Sequence, residues 1–447
     1  MKKRHISLVV ALLLVLALAI SGCGGSSAPK TDSAGGGGGG SDSGGAAADG
    51  GTTVTILAGA GWFIDPFVKI MNDWEEKTGN TFEIITVPDE GTGDYMATKI
   101  ATGQIADICL FYPTINYLPL TNPEENWLDL TDDPMLDQLA PGIVSEVQFM
   151  YKDRVYSYPM DGLMAFAGMY NKDLFAEYGL SPPETYEEMV AILDTFKENG
   201  ITPMYEAGFD MWPLQVLPSA WWAYEQRANP SLVEQLNENQ TKFGDVPDLL
   251  KCIELYKEFQ DKGYFNDNVL SSTYEEQLNV LAEGTAGLVF QITPSYTEMV
   301  IAYPDKADAV GCFVVPWPGM DKPVPLGNHS AGISINKNGA NVDAALDFLH
   351  YFASPEVASW YYSTTGEISP YKDLDYEIAP FYEPYLDAIA TYGAEPSLTN
   401  VIDPGVGDDF MRAMQELIAG SLDPQGVIDR IDSVREAQGK DMGKAGW

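Results

Sequence analysis

The folded part of the chain begins with Val54-Thr55-Ile56-Leu57, ended by Ala58-Gly59-Ala60-Gly61. Three of the first four residues are β-branched, and such side chains, stiff at χ1, suit a pleated sheet better than a helix. The small residues behind them close the strand. Residues 66–77 then carry Phe67, Ile70, Met71 and Trp74 at helical spacing, which predicts an amphipathic helix stopped by Gly79-Asn80. A second strand is predicted over 82–87, a helix around 95–102 and a third strand over 107–111. This strand-helix alternation implies a parallel sheet wrapped by helices. In such sheets ligands sit beyond the carboxyl ends of strands, where strand order switches. Segments 59–65 and 111–117 therefore hold the first binding candidates.

Further along, helices are predicted over 185–199, 246–262, 273–284 and 342–353, with a closing helical region beyond Asp408. Strands are predicted over 286–292, 310–315 and 332–336, and 209–224 is unusually rich in aromatics. There is no internal repeat. From Thr52 to Trp447 the chain has the length of two lobes of ordinary domain size.

Composition narrows the function. The 447 residues are 45% hydrophobic and 20% charged, which excludes wholesale disorder. Twenty-five Lys plus Arg against 65 Asp plus Glu give a net charge of −40, a field that repels nucleic acid. CxxC, HExxH and GxxxxGK[ST] patterns are missing and only three histidines occur, so no metal or cofactor is expected.

Lys2, Lys3 and Arg4 precede a mostly apolar run over 6–20 and then Ser21-Gly22-Cys23, which predicts a signal peptide over 1–22. Ile20-Ser21-Gly22-Cys23 resembles the bacterial lipobox, implying cleavage before Cys23 and a diacylglycerol on its sulfur; the alternative is a secreted protein with a chance cysteine. The Gly/Ser-rich segment over 23–51, with its run Gly35 to Gly40, reads as a tether. An extracytoplasmic monomer held by lipid at the outer face of the cell membrane is expected. Cys109, Cys252 and Cys312 lie in apolar stretches and read as small buried hydrophobes, a disulfide between two of them being the alternative.

Tyr170-Asn171-Lys172-Asp173-Leu174-Phe175, Tyr178-Gly179-Leu180, Pro182-Pro183, Thr185-Tyr186-Glu187-Glu188 and Gly200-Ile201-Thr202-Pro203 follow one another in order. With Trp74-Glu75-Glu76-Lys77-Thr78-Gly79, Ser354-Pro355-Glu356 and segments 274–290 and 415–424, they resemble the extracellular solute-binding proteins of ABC importers, in the carbohydrate-binding, maltose-binding-protein-like group. The resemblance implies a two-lobed α/β fold of the periplasmic-binding-protein type, each lobe a mostly parallel sheet flanked by helices. It implies lobe 1 over 52–160 and 317–367 and lobe 2 over 161–316 and 368–447, with hinge crossings at 159–163, 314–318 and 368–371. A cleft closing on a solute and delivery to an ABC permease, without chemistry, complete the implication. Within Tyr170 to Phe175, Asn171 and Asp173 read as turn residues, Asp173 as the cap of the following helix, and Leu174 and Phe175 as core.

A sugar cleft needs aromatic platforms for C–H faces, interleaved with polar groups for hydroxyls. Trp62 and Phe63, in a glycine-bracketed loop after the first strand, are candidates, as is Tyr112 after the third. Asp161, beside Gly162, either accepts sugar hydroxyls or hydrogen-bonds the hinge backbone. By resemblance, Phe209, Asp210 and Trp212 supply contacts from the second lobe, although the order of aromatic and acid departs from the family's. Trp222 is a weaker candidate, since its stripe with Trp221 and Tyr224 also suits a core. Tyr296 stands where the family carries a Trp platform, and Trp317 either stacks on ligand or stiffens the hinge. Asn328 and His329 precede a strand; a lone histidine is more often structural, and His350 and Tyr361-Tyr362 read as packing.

The function expected is capture of a carbohydrate, an oligosaccharide by preference. Alternatives are another solute such as a polyamine or peptide, a sensor subunit, or a glycoside hydrolase, for which no spaced pair of acids stands out.

Overall fold

Strand β1 (Thr53–Gly59) buries Val54, Ile56, Leu57 and Ala58 and pairs in parallel with both its neighbours, β2 (Thr81–Val87) and β3 (Ile108–Phe111). The computed structural model describes residues 51–87, 92–145, 148–320, 322–329 and 331–447, without the side chains of 92–94, 97, 328 and 329. The chain divides into residues 1–49 and a body of residues 50–447. The signal peptide, Cys23 and nearly all of the tether lie outside the described residues. Among the described residues no helix is long and apolar enough to cross a membrane.

Helix α1 (Asp65–Thr78) joins β1 to β2, with Pro66 preset for its first turn and Gly79 ending it at φ 75°. Its predicted apolar stripe, Phe67, Ile70, Met71 and Trp74, is buried, and Trp74 meets Phe82 and Phe348 at ring distances of 5.0 and 5.5 Å. Helix α2 (Thr92–Ala101) leads to β3. Strand Gly332–Ile335 then pairs antiparallel with β3, and Tyr158–Pro159 completes the five-stranded sheet. Asp107 clips these parts together, accepting from the Thr55 amide and hydroxyl, both at 2.9 Å, and from Asn341 at 3.0 Å. Burial pushes that carboxyl up, but the bonds from Asn341 and Thr55 outweigh it and hold it below the usual range.

The second lobe departs from the expected pairing. Strand Met164–Asn171 runs antiparallel to Ala286–Ile292, Val310–Phe313 and Gly327–His329, and among the described residues of this sheet only Thr202–Met204 pairs in parallel, with Ala286–Ile292. The chain enters Met164–Asn171 directly from Tyr158–Pro159 of the first sheet, and this strand runs against all three of the neighbours named. At the strand's end Asn171, not Asp173, caps the next helix: its Oδ1 accepts from the amides of Asp173 and Leu174 at 3.0 and 3.1 Å. Leu174 and Phe175 are core residues, and the three cysteines are buried free thiols.

The aromatic-rich stretch becomes a 3-10 turn, Trp212–Gln215, and helix Val216–Ala228, buried on nearly every side beneath Pro247–Asp261 and the sheet. The C-terminal helices Gly407–Ile418 and Pro424–Asp441 also pack into this second core. Val315, Trp317, Val324 and Leu326 belong to the same core, so the chain returns to the first sheet between His329 and Gly332 rather than at 314–318. The boundary expected at 317 moves accordingly. Tyr371, Leu374 and Tyr376 still pack on the first core, whereas Phe381 and Tyr382 pack with the second lobe.

Glu206 is 1% exposed in the second core, and neither carboxyl oxygen has a well-formed hydrogen bond, the Tyr256 hydroxyl lying beside it. Burial pushes the carboxyl up to about 8. An unfolded glutamate titrates near about 4.3, so stability is greatest below that pH and falls as pH rises toward the folded value. Glu206→Gln should raise the melting temperature by several degrees at mildly alkaline pH and by little at acid pH. A scan giving the same increment at both ends would contradict the buried-acid assignment.

Candidate functional site

Two loops leave the same edge of the first sheet, because β1 and β3 are parallel neighbours. The first continues β1 through the 3-10 turn Ala60–Trp62, and the second begins at Tyr112. They bring the rings of Trp62 and Tyr112 to 5.1 Å, edge to face, and Tyr112 remains 36% exposed. Trp62 and Phe63 are partly buried against the first core, with Phe63 tilted over Phe67 at 6.4 Å.

From the second lobe comes a matching pair. Trp212 packs on Tyr274 with ring centroids 4.9 Å apart, and Asp210 Oδ2 accepts from the Tyr274 amide at 2.5 Å. Between them Met211 sits at φ 59°, a left-handed backbone unusual for a long side chain and one that turns Asp210 and Trp212 toward the same partner. The loop is pinned behind by Gly208 N donating to Val269 O and Phe209 N to Ser272 O, at 2.9 and 3.0 Å, and the Phe209 ring is 56% exposed.

Tyr274 is also held through its side chain. Its hydroxyl donates to Ser295 Oγ at 2.8 Å or accepts from it. Burial pushes the phenol well above its usual value, and the charge of Glu298 adds to the shift. Each lobe thus carries one aromatic pair, Trp62 with Tyr112 and Trp212 with Tyr274.

Other candidates are placed elsewhere. Trp222 is wholly buried, its indole N–H donating to Leu249 O at 3.1 Å and its ring stacked on Phe410, so it is core. Tyr296 lies flat on Phe381 at 4.1 Å and its hydroxyl donates to Ala307 O, leaving no open ring face as a platform. Trp317 packs against Trp221 and Tyr224 behind the second sheet. Asp161 Oδ1 accepts from Ala331 N at 2.6 Å, so it holds hinge backbone. Asn328 and His329 lie in a strand at the lobe junction, but their side chains lie outside the described residues. His350 pairs with Asp133 at 2.8 Å on the first lobe. Among the described residues no group of three His, Cys, Asp or Glu side chains stands where a metal ion could be held.

Tyr274 and Glu298 were not singled out from sequence. Tyr274 opens the helix Tyr274–Glu283 directly after its N-cap Thr273, and an aromatic at that place was the available signal. Its partner Trp212 is remote in the chain, so only the fold pairs them.

Residues 60–359 match the family described as bacterial extracellular solute-binding protein. The chain belongs to this family. Among relatives of this solute-binding protein, the melibiose/raffinose/stachyose-binding protein MelE of Bacillus subtilis is 23% identical over 385 residues, covering 82% of this chain and 85% of that one. The multiple sugar-binding protein of Streptococcus mutans is 23% identical over 310 residues, covering 67% and 70%. A chitin oligosaccharide binding protein shares the fold at TM-score 0.76 and 22% identity, over 87% of this chain and 99% of that one. RafE in complex with raffinose does so at TM-score 0.71 and 19% identity, with coverage of 87% and 99%. The solute-binding protein is thus a two-lobed α/β body of the kind these structures share.

Core and cleft tryptophans should separate in urea unfolding. Trp222→Ala is expected to cost roughly 3–5 kcal/mol, whereas Trp212→Ala removes one partly exposed ring pair and should cost about 1 kcal/mol. Equal losses would contradict the division.

Proposed function

We propose that this chain is an extracytoplasmic receptor that captures an oligosaccharide between its lobes and hands it to an ABC permease. The observation that carries the reading is an aromatic pair on each lobe, Trp62 with Tyr112 and Trp212 with Tyr274. A pyranose presents C–H patches on its faces and hydroxyls on its edge. Rings approaching from both lobes cover the faces, and carboxylates such as Asp210 accept hydroxyls through charge-assisted bonds. A ligand shifts a two-state equilibrium only by its differential affinity. Contacts from both lobes at once exist only when the cleft is shut, so the aromatic set makes closure sugar-dependent. The names of the relatives, all binders of sugars, point the same way.

The solute leaves unchanged: the chain acts as a receptor and catalyses no reaction. It works as a monomer with the leader over 1–22 removed, Cys23 lipidated and 23–51 serving as tether to the membrane.

Titration with raffinose, stachyose and chitin oligosaccharides should quench tryptophan fluorescence and shrink the scattering radius for at least one of them. Trp62→Ala and Trp212→Ala should each weaken that sugar by roughly three- to tenfold. No response to any saccharide in either measurement would sink the sugar assignment. Separately, cells fed a labelled fatty acid should label the chain, and Cys23→Ser should abolish the label and release the protein into the medium; label retained in Cys23→Ser would refute the anchor.

A further inference from the structure

Glu367 follows helix Pro355–Thr365 of the first lobe and is 4% exposed where the two lobes join. Its Oε2 accepts from the Gly162 amide at 2.9 Å, in the segment by which the chain first passes to the second lobe. The approach is so close that a Cβ on Gly162 would lie 2.4 Å from the Glu367 Cβ, which only glycine permits. Next to this contact Leu163 N donates to Ile368 O at 2.7 Å, and Thr297 of the second lobe donates from its hydroxyl to Thr365 O at 2.9 Å. The carboxyl is therefore wedged among three segments at the junction of the lobes.

The charged groups that act most on it are acids: Asp161 from the crossing and Glu298 from helix Pro294–Ala302. Around them stand Thr297 and the phenols of Tyr361 and Tyr382, both pushed further up by the charge of Glu367. Burial first, and then Asp161, raise the carboxyl to about 8. A neutral carboxyl fits the wedge. A charged one, unhydrated and facing two like charges, is relieved when the segments separate and water enters.

We propose that Glu367 is a proton-linked hinge residue: one bound proton holds the lobes at the angle seen here, and its loss shifts them toward an arrangement that hydrates the carboxylate. The inference rests on the lobe-closing reading of the cleft, but its test uses no sugar, so a failed sugar titration leaves it standing.

Small-angle scattering of the purified chain, without ligand, should show a radius of gyration that changes between about pH 6 and about pH 10 with a one-proton midpoint near 8. Glu367→Gln, a permanent mimic of the neutral acid, should keep the acid-side radius throughout. Asp161→Asn, which removes a neighbouring charge, should move the midpoint to lower pH, and this variant carries the test if Glu367→Gln fails to fold. A wild-type radius independent of pH, a Glu367→Gln profile that follows wild type, or an unmoved midpoint in Asp161→Asn would each overturn the proposal.

Discussion

Strand polarity is the constraint from which the cleft follows. Parallel pairing of β1 with β3 forces the loops leaving both strands to start on one sheet edge, and this alone brings Trp62 to Tyr112 across an intervening helix, strand and helix. The same edge faces the second lobe because the chain leaves the first sheet at Tyr158–Pro159, beside the strand Gly332–Ile335 through which it later returns. Had β1 and β3 been antiparallel, one of the two loops would lie at the far end of the sheet and no aromatic pair would form.

Burial of acids is the second theme. The protein carries a large excess of carboxylates, most of them in water, yet Glu206 and Glu367 are enclosed where a charge is costly. Glu206 lies within one lobe and bears on folding alone. Glu367 lies at the junction of the lobes, where the proposed loss of its proton would act on conformation.

Aromatic residues are where reading along the chain loses resolution. Trp212, Trp222, Tyr296 and Trp317 are chemically alike in sequence, each near a turn or helix that the resemblance links to a cleft. Packing separates them: Trp222 finds Phe410, Tyr296 finds Phe381 and Trp317 finds Tyr224, each from a distant part of the chain, while Trp212 meets the partly exposed Tyr274. That Trp62 and Tyr112 stand just beyond strand ends follows from local pattern, whereas Asp210 was singled out by resemblance. Tyr274 was legible in neither way, since its environment is made by residues remote in sequence.

By itself the sequence determined the local elements and the class of fold. Apolar spacing placed α1 and the helices Tyr186–Glu198, Tyr274–Glu283 and Val342–Ala353 to within a few residues, because helical periodicity is a property of neighbours in the chain. Tertiary structure alone decided the direction of strands in the second sheet, the point of return between His329 and Gly332, and the contact of Glu367 with Gly162. Those depend on which segments meet in space, and long-range meeting is set by the packing of two whole cores rather than by any short run of residues.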